Sequence, residues 1–201
     1  MLNKLLKSIY AGIAIGLGAT IYLLCSNKIV GAFMFSIGIL IVMEFKLKLY
    51  TGYVPTMRDK EKTIDYLINS TFVFIGNLIG AMILALLLAL TKLQPQLYSL
   101  TNNLCDTKLS DNLLSVFILA ILCGIIIALI VKAKNYKKQV LYVGLMIATF
   151  ILCGFEHVVA NAFYFSFSLK LFTLPGLLFM LICLLGNFVG GFLSSFLKDE
   201  E

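Results

Sequence analysis

The chain is written in long apolar runs joined by short polar connections, without the striped alternation of a soluble amphipathic fold. Runs long enough to cross a bilayer, about 20 residues each, fall near residues 5–25, 29–50, 66–91, 112–131, 138–169 and 174–197. The pattern predicts an all-α membrane protein with six transmembrane helices. Two runs are interrupted. The second passes into EFKLKLYTGYVPT, Glu44 to Thr56, where Glu44, Lys46, Lys48, a glycine and a proline oppose a continuous helix. The fifth is too long for one straight crossing and contains CGFEHVVANAFYF, Cys153 to Phe165. Helices two and five are therefore expected to be broken, and irregular backbone at membrane depth survives only where it is buried in protein or lines a cavity.

Two phrases repeat: FIGNLIGA, Phe74 to Ala81, in the third run and LLGNFVGG, Leu184 to Gly191, in the sixth. They share G-N-x-x-G, and an odd number of crossings separates them, so the halves run in opposite directions. The expected plan is a single domain of two inverted three-helix repeats, about 1–105 and 106–201. Gly76, Gly80, Gly186 and Gly190 suit close helix packing. Asn77 and Asn187 recur with them, and an amide in lipid needs polar partners, so both are expected to be structural supports.

Composition agrees: 61% of residues are hydrophobic, with a mean hydropathy of +1.01. The formal charge of +6 is spread over connections without a nucleic-acid-binding pattern, so no nucleic acid partner is expected. Lys4, Lys7, Arg58, Lys60, Lys62, Lys132, Lys134, Lys137, Lys138 and Lys198 fall on one side of the six-crossing topology, against Lys28, Lys92, Lys108 and Lys170 on the other. The positive-inside rule then predicts a multi-pass protein of the inner or plasma membrane with both termini cytoplasmic. The first run is too long for a signal-peptide core and lacks a small-residue cleavage site, so it is read as a retained helix. The five cysteines have neither metal-site nor redox spacing and are read as small buried hydrophobes, with no cofactor.

The chemistry gathers in the fifth run. His157, the only histidine, follows the Gly154 break and precedes Asn161 by one helical turn. A neutral imidazole there donates one hydrogen bond and accepts another, and it is expected to face a conduit. Helical geometry turns the neighbouring Glu156 about 100° away, into the protein, where it is expected to tie down freed backbone N–H groups of the opposite broken helix. A carboxylate pair, a metal-ligand cluster and an activated nucleophile are all missing from the pattern, so an enzyme is not expected.

These phrases resemble the formate/nitrite transporter family, whose fifth helix carries G-F-E-H-x-x-A-N; FIGNLIGA, LLGNFVGG and the LYTG of the second run are similar to its other motifs. The resemblance covers nearly the whole chain. It implies an aquaporin-like protomer, a homopentamer with one pore per subunit, and passage of small monovalent anions of weak acids. By the same resemblance, His157 is the central pore histidine, Thr51 the threonine of the broken second helix, and Asn161 the asparagine one turn beyond the histidine. Phe35, Ile39 and Phe150 fall at an outer hydrophobic constriction, Leu49 and Tyr50 at an inner one, and Lys108 in a vestibule where it attracts anions.

Departures from the family pattern sharpen the expectation. Lys46, Leu47 and Lys48 stand where a glycine, an alanine and a carboxylate are usual; Gly124 replaces a common asparagine; Tyr50 brings a hydroxyl where phenylalanine is usual. The sequence also ends shortly after its sixth run, so a regulatory tail is not expected. Two lysines two apart on a helix cannot share a face, so one of the pair should reach the inner mouth while the other snorkels. The resemblance includes a fluoride-exporting branch of the family, and the lysine-rich, hydroxyl-bearing inner gate suits a hard anion, so fluoride export is expected, with formate, nitrite or hydrosulfide as the alternative within the fold. A neutral-solute pore of the water or glycerol type is the alternative of another class.

Overall fold

The computed structural model describes residues 2–57, 60–133 and 139–197. Arg58, Lys134, Lys137, Lys138 and Lys198, counted above for orientation, lie outside the described residues. Among the described residues, four helices are long and apolar enough to cross a bilayer: α1 (Leu2–Leu24), α5 (Thr63–Ala89), α7 (Leu113–Lys132) and α10 (Leu174–Ser194). The second run divides into α2 (Lys28–Met34), α3 (Ser36–Glu44) and α4 (Tyr50–Met57), and the fifth into α8 (Gln139–Leu152) and α9 (Val158–Phe167). The pattern did not single out α6 (Gln94–Leu109), which joins the halves. The expected repeat boundary near residue 105 falls inside it.

Each half is built around one close helix pair, α1 on α5 and α7 on α10. The repeated glycines make these pairs possible. A Cβ at Gly80 would sit 2.0 Å from the Ile9 carbonyl oxygen, and one at Gly190 2.1 Å from that of Ile121. Helices α1 and α5 both begin at the end where Lys4 meets Tyr53 and Tyr53 meets Glu61. Helices α7 and α10 both finish at that end, where Lys132 Nζ donates to the carbonyls of Ser194 and Leu197 at 2.9 and 2.7 Å. The pairs therefore point in opposite directions.

Both breaks open with the same helix ending. In the first, the N–H groups of Lys46 and Leu47 donate to the carbonyls of Met43 and Val42; in the second, those of Gly154 and Phe155 donate to Ile151 and Phe150. This C-cap requires a left-handed residue, supplied by Lys46 (φ 49°) and Gly154 (φ 71°). Glycine takes that conformation freely, whereas lysine holds it at a cost of about 1–2 kcal/mol. The first break thus comes before Gly52 and Pro55, which lie inside α4.

The asparagines close each break. Asn77 Oδ1 accepts the Tyr50 N–H at 2.8 Å, while its Nδ2 donates to the carbonyls of Ser8 and Lys48, both at 2.8 Å. Asn187 Oδ1 accepts the Val158 N–H at 2.9 Å, and its Nδ2 donates to Ala120 O at 2.8 Å and Glu156 O at 2.7 Å. Each amide answers an N–H at the start of a half-helix and the carbonyl left free two residues earlier, groups that neither water nor an intact helix can satisfy at this depth. Both side chains are fully buried. The role expected for Glu156 at the opposite break belongs instead to these asparagines.

Candidate functional site

Two cavities lie toward opposite ends of the molecule. One, about 160 Å³, is bordered by Phe35, Lys108, Phe150, His157, Asn161 and Tyr164 among others. The other, about 330 Å³, is bordered by Ile39, Lys46, Lys48, Leu49, Tyr53 and Val131 among others. Phe35 and Ile39, one turn apart where α2 meets α3, each border a different cavity. Ile39 borders the same cavity as Leu49, whereas Phe35 and Phe150, with which it was expected to form an outer constriction, border the other. Phe35 and Phe150 meet edge to face, with ring centroids 5.9 Å apart, and Phe150 lies 6.1 Å from the His157 ring.

His157 is the N-cap of α9: its Nδ1 accepts the Ala160 N–H at 3.1 Å. That bond commits Nδ1 as an acceptor, so the proton of the neutral ring sits on Nε2. Nε2 lies 2.9 Å from Thr51 Oγ1, to which it donates, leaving the Thr51 hydroxyl proton free for another acceptor. Thr51 and His157 belong to the first turn and the cap of the two half-helices, so the two breaks meet in a single polar contact. Thr51 is fully buried and His157 is 3% exposed.

Glu156 and His157 are not successive helical residues, because α9 begins only at Val158. The backbone N–H of Glu156 reaches Leu119 O at 3.3 Å. Its carboxylate oxygen Oε2 accepts both Lys108 Nζ at 2.5 Å and the Asn161 amide at 2.8 Å, so Glu156 compensates Lys108 directly and holds the Asn161 side chain. The expected vestibule lysine does border the cavity, but as one member of a partly buried ion pair.

Lys46 and Lys48 were expected on different faces of a helix, one of them toward the inner mouth. Residues 45–49 are not helical, and the left-handed Lys46 redirects the chain so that both lysines border the same cavity. Tyr50 also differs from its expected place. Its ring packs edge to face on Phe74 at 5.6 Å and its hydroxyl donates to Leu184 O at 3.3 Å, so the hydroxyl is engaged by the backbone, while Leu49 borders the Lys46 cavity. Cys105, Cys123 and Cys183 are buried as expected, whereas Cys153, beside the Gly154 turn, is exposed.

The formate/nitrite transporter model matches residues 1–197. The chain belongs to that family. Among curated relatives, the Formate-nitrite transporter of Plasmodium falciparum is 26% identical over 94% of this chain and 74% of its own length. The Formate channel FocB of Escherichia coli is 24% identical, over 83% of this chain and 66% of its own. The Uncharacterized transporter YrhG of Bacillus subtilis is 28% identical, over 86% and 66%; the matched region is thus just under two thirds of the length of the latter two. Two solved structures share the fold: a pentameric formate channel with formate bound (TM-score 0.77, 23% identity, 96% of this chain and 92% of that one) and an FNT family ion channel (TM-score 0.74, 22% identity, 98% and 85%). Membership of the family and the four long apolar helices make this a multi-pass membrane protein.

Proposed function

We propose that the protein is a channel for small monovalent anions of weak acids, with formate as its reference substrate and one conduit through each subunit of a homopentamer. The observation carrying this reading is the His157–Thr51 contact, a buried polar pair beside the Lys108 cavity, with a second lysine-bearing cavity toward the other end. Removing a bare anion from water costs tens of kcal/mol in a purely low-dielectric medium. Lysines at the mouths raise the local anion concentration and offset part of that cost. At the centre, the Thr51 hydroxyl proton is the donor that an arriving anion meets, with His157 holding the hydroxyl oxygen in place; a weak acid can also take up a proton and pass the Phe35–Phe150 and Ile39–Leu49 constrictions as a neutral molecule. Asn161 and the Lys108–Glu156 pair border the approach on one side, and Lys46 and Lys48 border it on the other. With the Lys4 and Lys132 end in the cytoplasm, Lys46 and Lys48 line the inner mouth.

The relatives' names favour formate. One observation favours fluoride as the second reading: two lysines around one cavity suit a small, strongly hydrated anion, although the Tyr50 hydroxyl no longer adds to that argument. Efflux of formate, fluoride and chloride from proteoliposomes tests both. Formate is expected to outpace chloride, and His157→Ala and Thr51→Val are each expected to lower formate flux at least tenfold, the loss of about 1.4 kcal/mol of stabilisation at the barrier. Fluoride outrunning formate would select the second reading. Osmotic swelling by glycerol with no anion flux would replace both with a neutral-solute pore.

A further inference from the structure

Beside the Lys46 cavity lies another of about 300 Å³, bordered by Asn3, Lys4, Lys7, Lys48, Tyr53 and Glu61. Three ammonium groups and one carboxylate surround it. Glu61 is already engaged: Oε1 accepts the Tyr53 hydroxyl at 2.6 Å and Oε2 the Asn69 amide at 3.1 Å. Lys4 Nζ donates to the Tyr53 hydroxyl at 3.1 Å and lies 4.8 Å from its ring centroid, while Lys48 Nζ lies 5.8 Å from the same centroid. The Lys48 N–H donates to Lys7 O at 3.3 Å, so the broken second helix is tied to α1 at this point. Among the described residues, neither the Lys7 nor the Lys48 ammonium has a hydrogen bond or a carboxylate within ion-pair distance.

An excess of two positive charges is thus held around one small concavity. A monovalent anion leaves one charge uncompensated, whereas a dianion balances both. The volume is at the low end for small-molecule sites, about 300–1,000 Å³, which suits a phosphate-sized group better than a nucleotide. Lysines serve as point-charge partners for phosphate. Lys48 and Tyr53 border both this pocket and the Lys46 cavity, so a dianion here would cancel the field that Lys48 contributes there.

We propose that the Lys4–Lys7–Lys48 pocket binds a phosphate-class dianion, either free phosphate or the phosphomonoester head of a lipid, and that its occupancy lowers anion flux. The binding half is independent of the conduction reading; the regulatory half rests on it. The full chain is melted in neutral detergent with inorganic phosphate, or with phosphatidic acid in mixed micelles, against chloride at equal ionic strength, and formate efflux is measured under the matching conditions in phosphatidylcholine vesicles. The wild type is expected to melt at higher temperature with one or both ligands, and its efflux to fall about tenfold, the lower end of charge-focusing effects at a cleft. Lys7→Gln is expected to keep its basal efflux and lose both responses. Stabilisation by phosphate alone supports a free anion, and stabilisation by phosphatidic acid alone supports a lipid head. No stabilisation beyond chloride, or equal stabilisation of Lys7→Gln, overturns the site; stabilisation without a change in efflux overturns the regulation. A wild type with no basal efflux refutes the conduction reading and leaves the melting result to decide the site.

Discussion

Removing the Asn187 amide should cost more than any exposed polar substitution in this protein. Asn187→Ala deletes bonds to Val158 N, Ala120 O and Glu156 O, all at 2.7–2.9 Å and all buried. Ala120 lies inside α7 and keeps its helical partner, so that loss is the net worth of one bond, about 0.5–1.5 kcal/mol. Val158 N–H is left without a partner, and Glu156 O retains only the Cys183 thiol at 3.4 Å. Each orphaned group costs about 1–3 kcal/mol, giving roughly 3–7 kcal/mol in all. If each bond instead had the average measured between side chains in membranes, about 0.6 kcal/mol, the total would be near 2 kcal/mol. The difference arises because a chain unfolded within the bilayer finds other partners for side chains, whereas the N–H at the start of a half-helix has none. SDS-titrated unfolding in mixed micelles separates the two figures. Asn77→Ala is expected to behave alike, because Asn77 makes the equivalent three bonds. Asn187→Asp should be no better than alanine, since it keeps the acceptor for Val158 but presents an oxygen to two carbonyls. Asn102→Ala, which loses one exposed bond to Asp106, provides the control. A loss below about 2 kcal/mol for Asn187→Ala would refute the claim that the amides hold the breaks together.

Gly190→Ala and Gly80→Ala should abolish monodisperse protein on size exclusion, because the added methyl meets a helix carbonyl at about 2 Å. Gly52→Ala, whose Cβ would meet only a Val131 methyl at 3.3 Å, should be nearly neutral. Lys46→Gly should relieve the left-handed strain, about 1–2 kcal/mol, and lose about half of that to glycine's greater unfolded entropy, so stability changes little while formate flux at low salt falls; Lys46→Ile should destabilise, and unchanged unfolding in that variant would contradict the assigned C-cap. A membrane-impermeant maleimide added to intact cells at pH 7 should label Cys153 if the Lys108 end faces outward. Cys105 should stay unlabelled, since it is buried and burial pushes its thiol up to about 11. Mass spectrometry of tryptic peptides reads both, and modified Cys105 would argue against the packing of α6.

Much of the architecture was legible in the sequence because it depends on local properties. Hydropathy located the long helices, and G-N-x-x-G located both the close-packed faces and the two buried amides, since only a very small residue permits such contact and an amide in lipid must be answered. The Gly154 break and the placing of His157 in it followed from the same reasoning. Only the tertiary structure decided what met what. It pairs Glu156 with Lys108 and His157 with Thr51, partners 48 and 106 residues apart, and helical spacing could not foresee the first because the chain at Glu156 is not helical. It turns Tyr50 onto Leu184 and sends Ile39 to the other cavity, and it puts Lys46 and Lys48 beside one cavity because the left-handed Lys46 re-aims the chain that follows it. A sequence states which groups must be satisfied; where backbone leaves the helix, the directions of those groups are set by the neighbours that satisfy them.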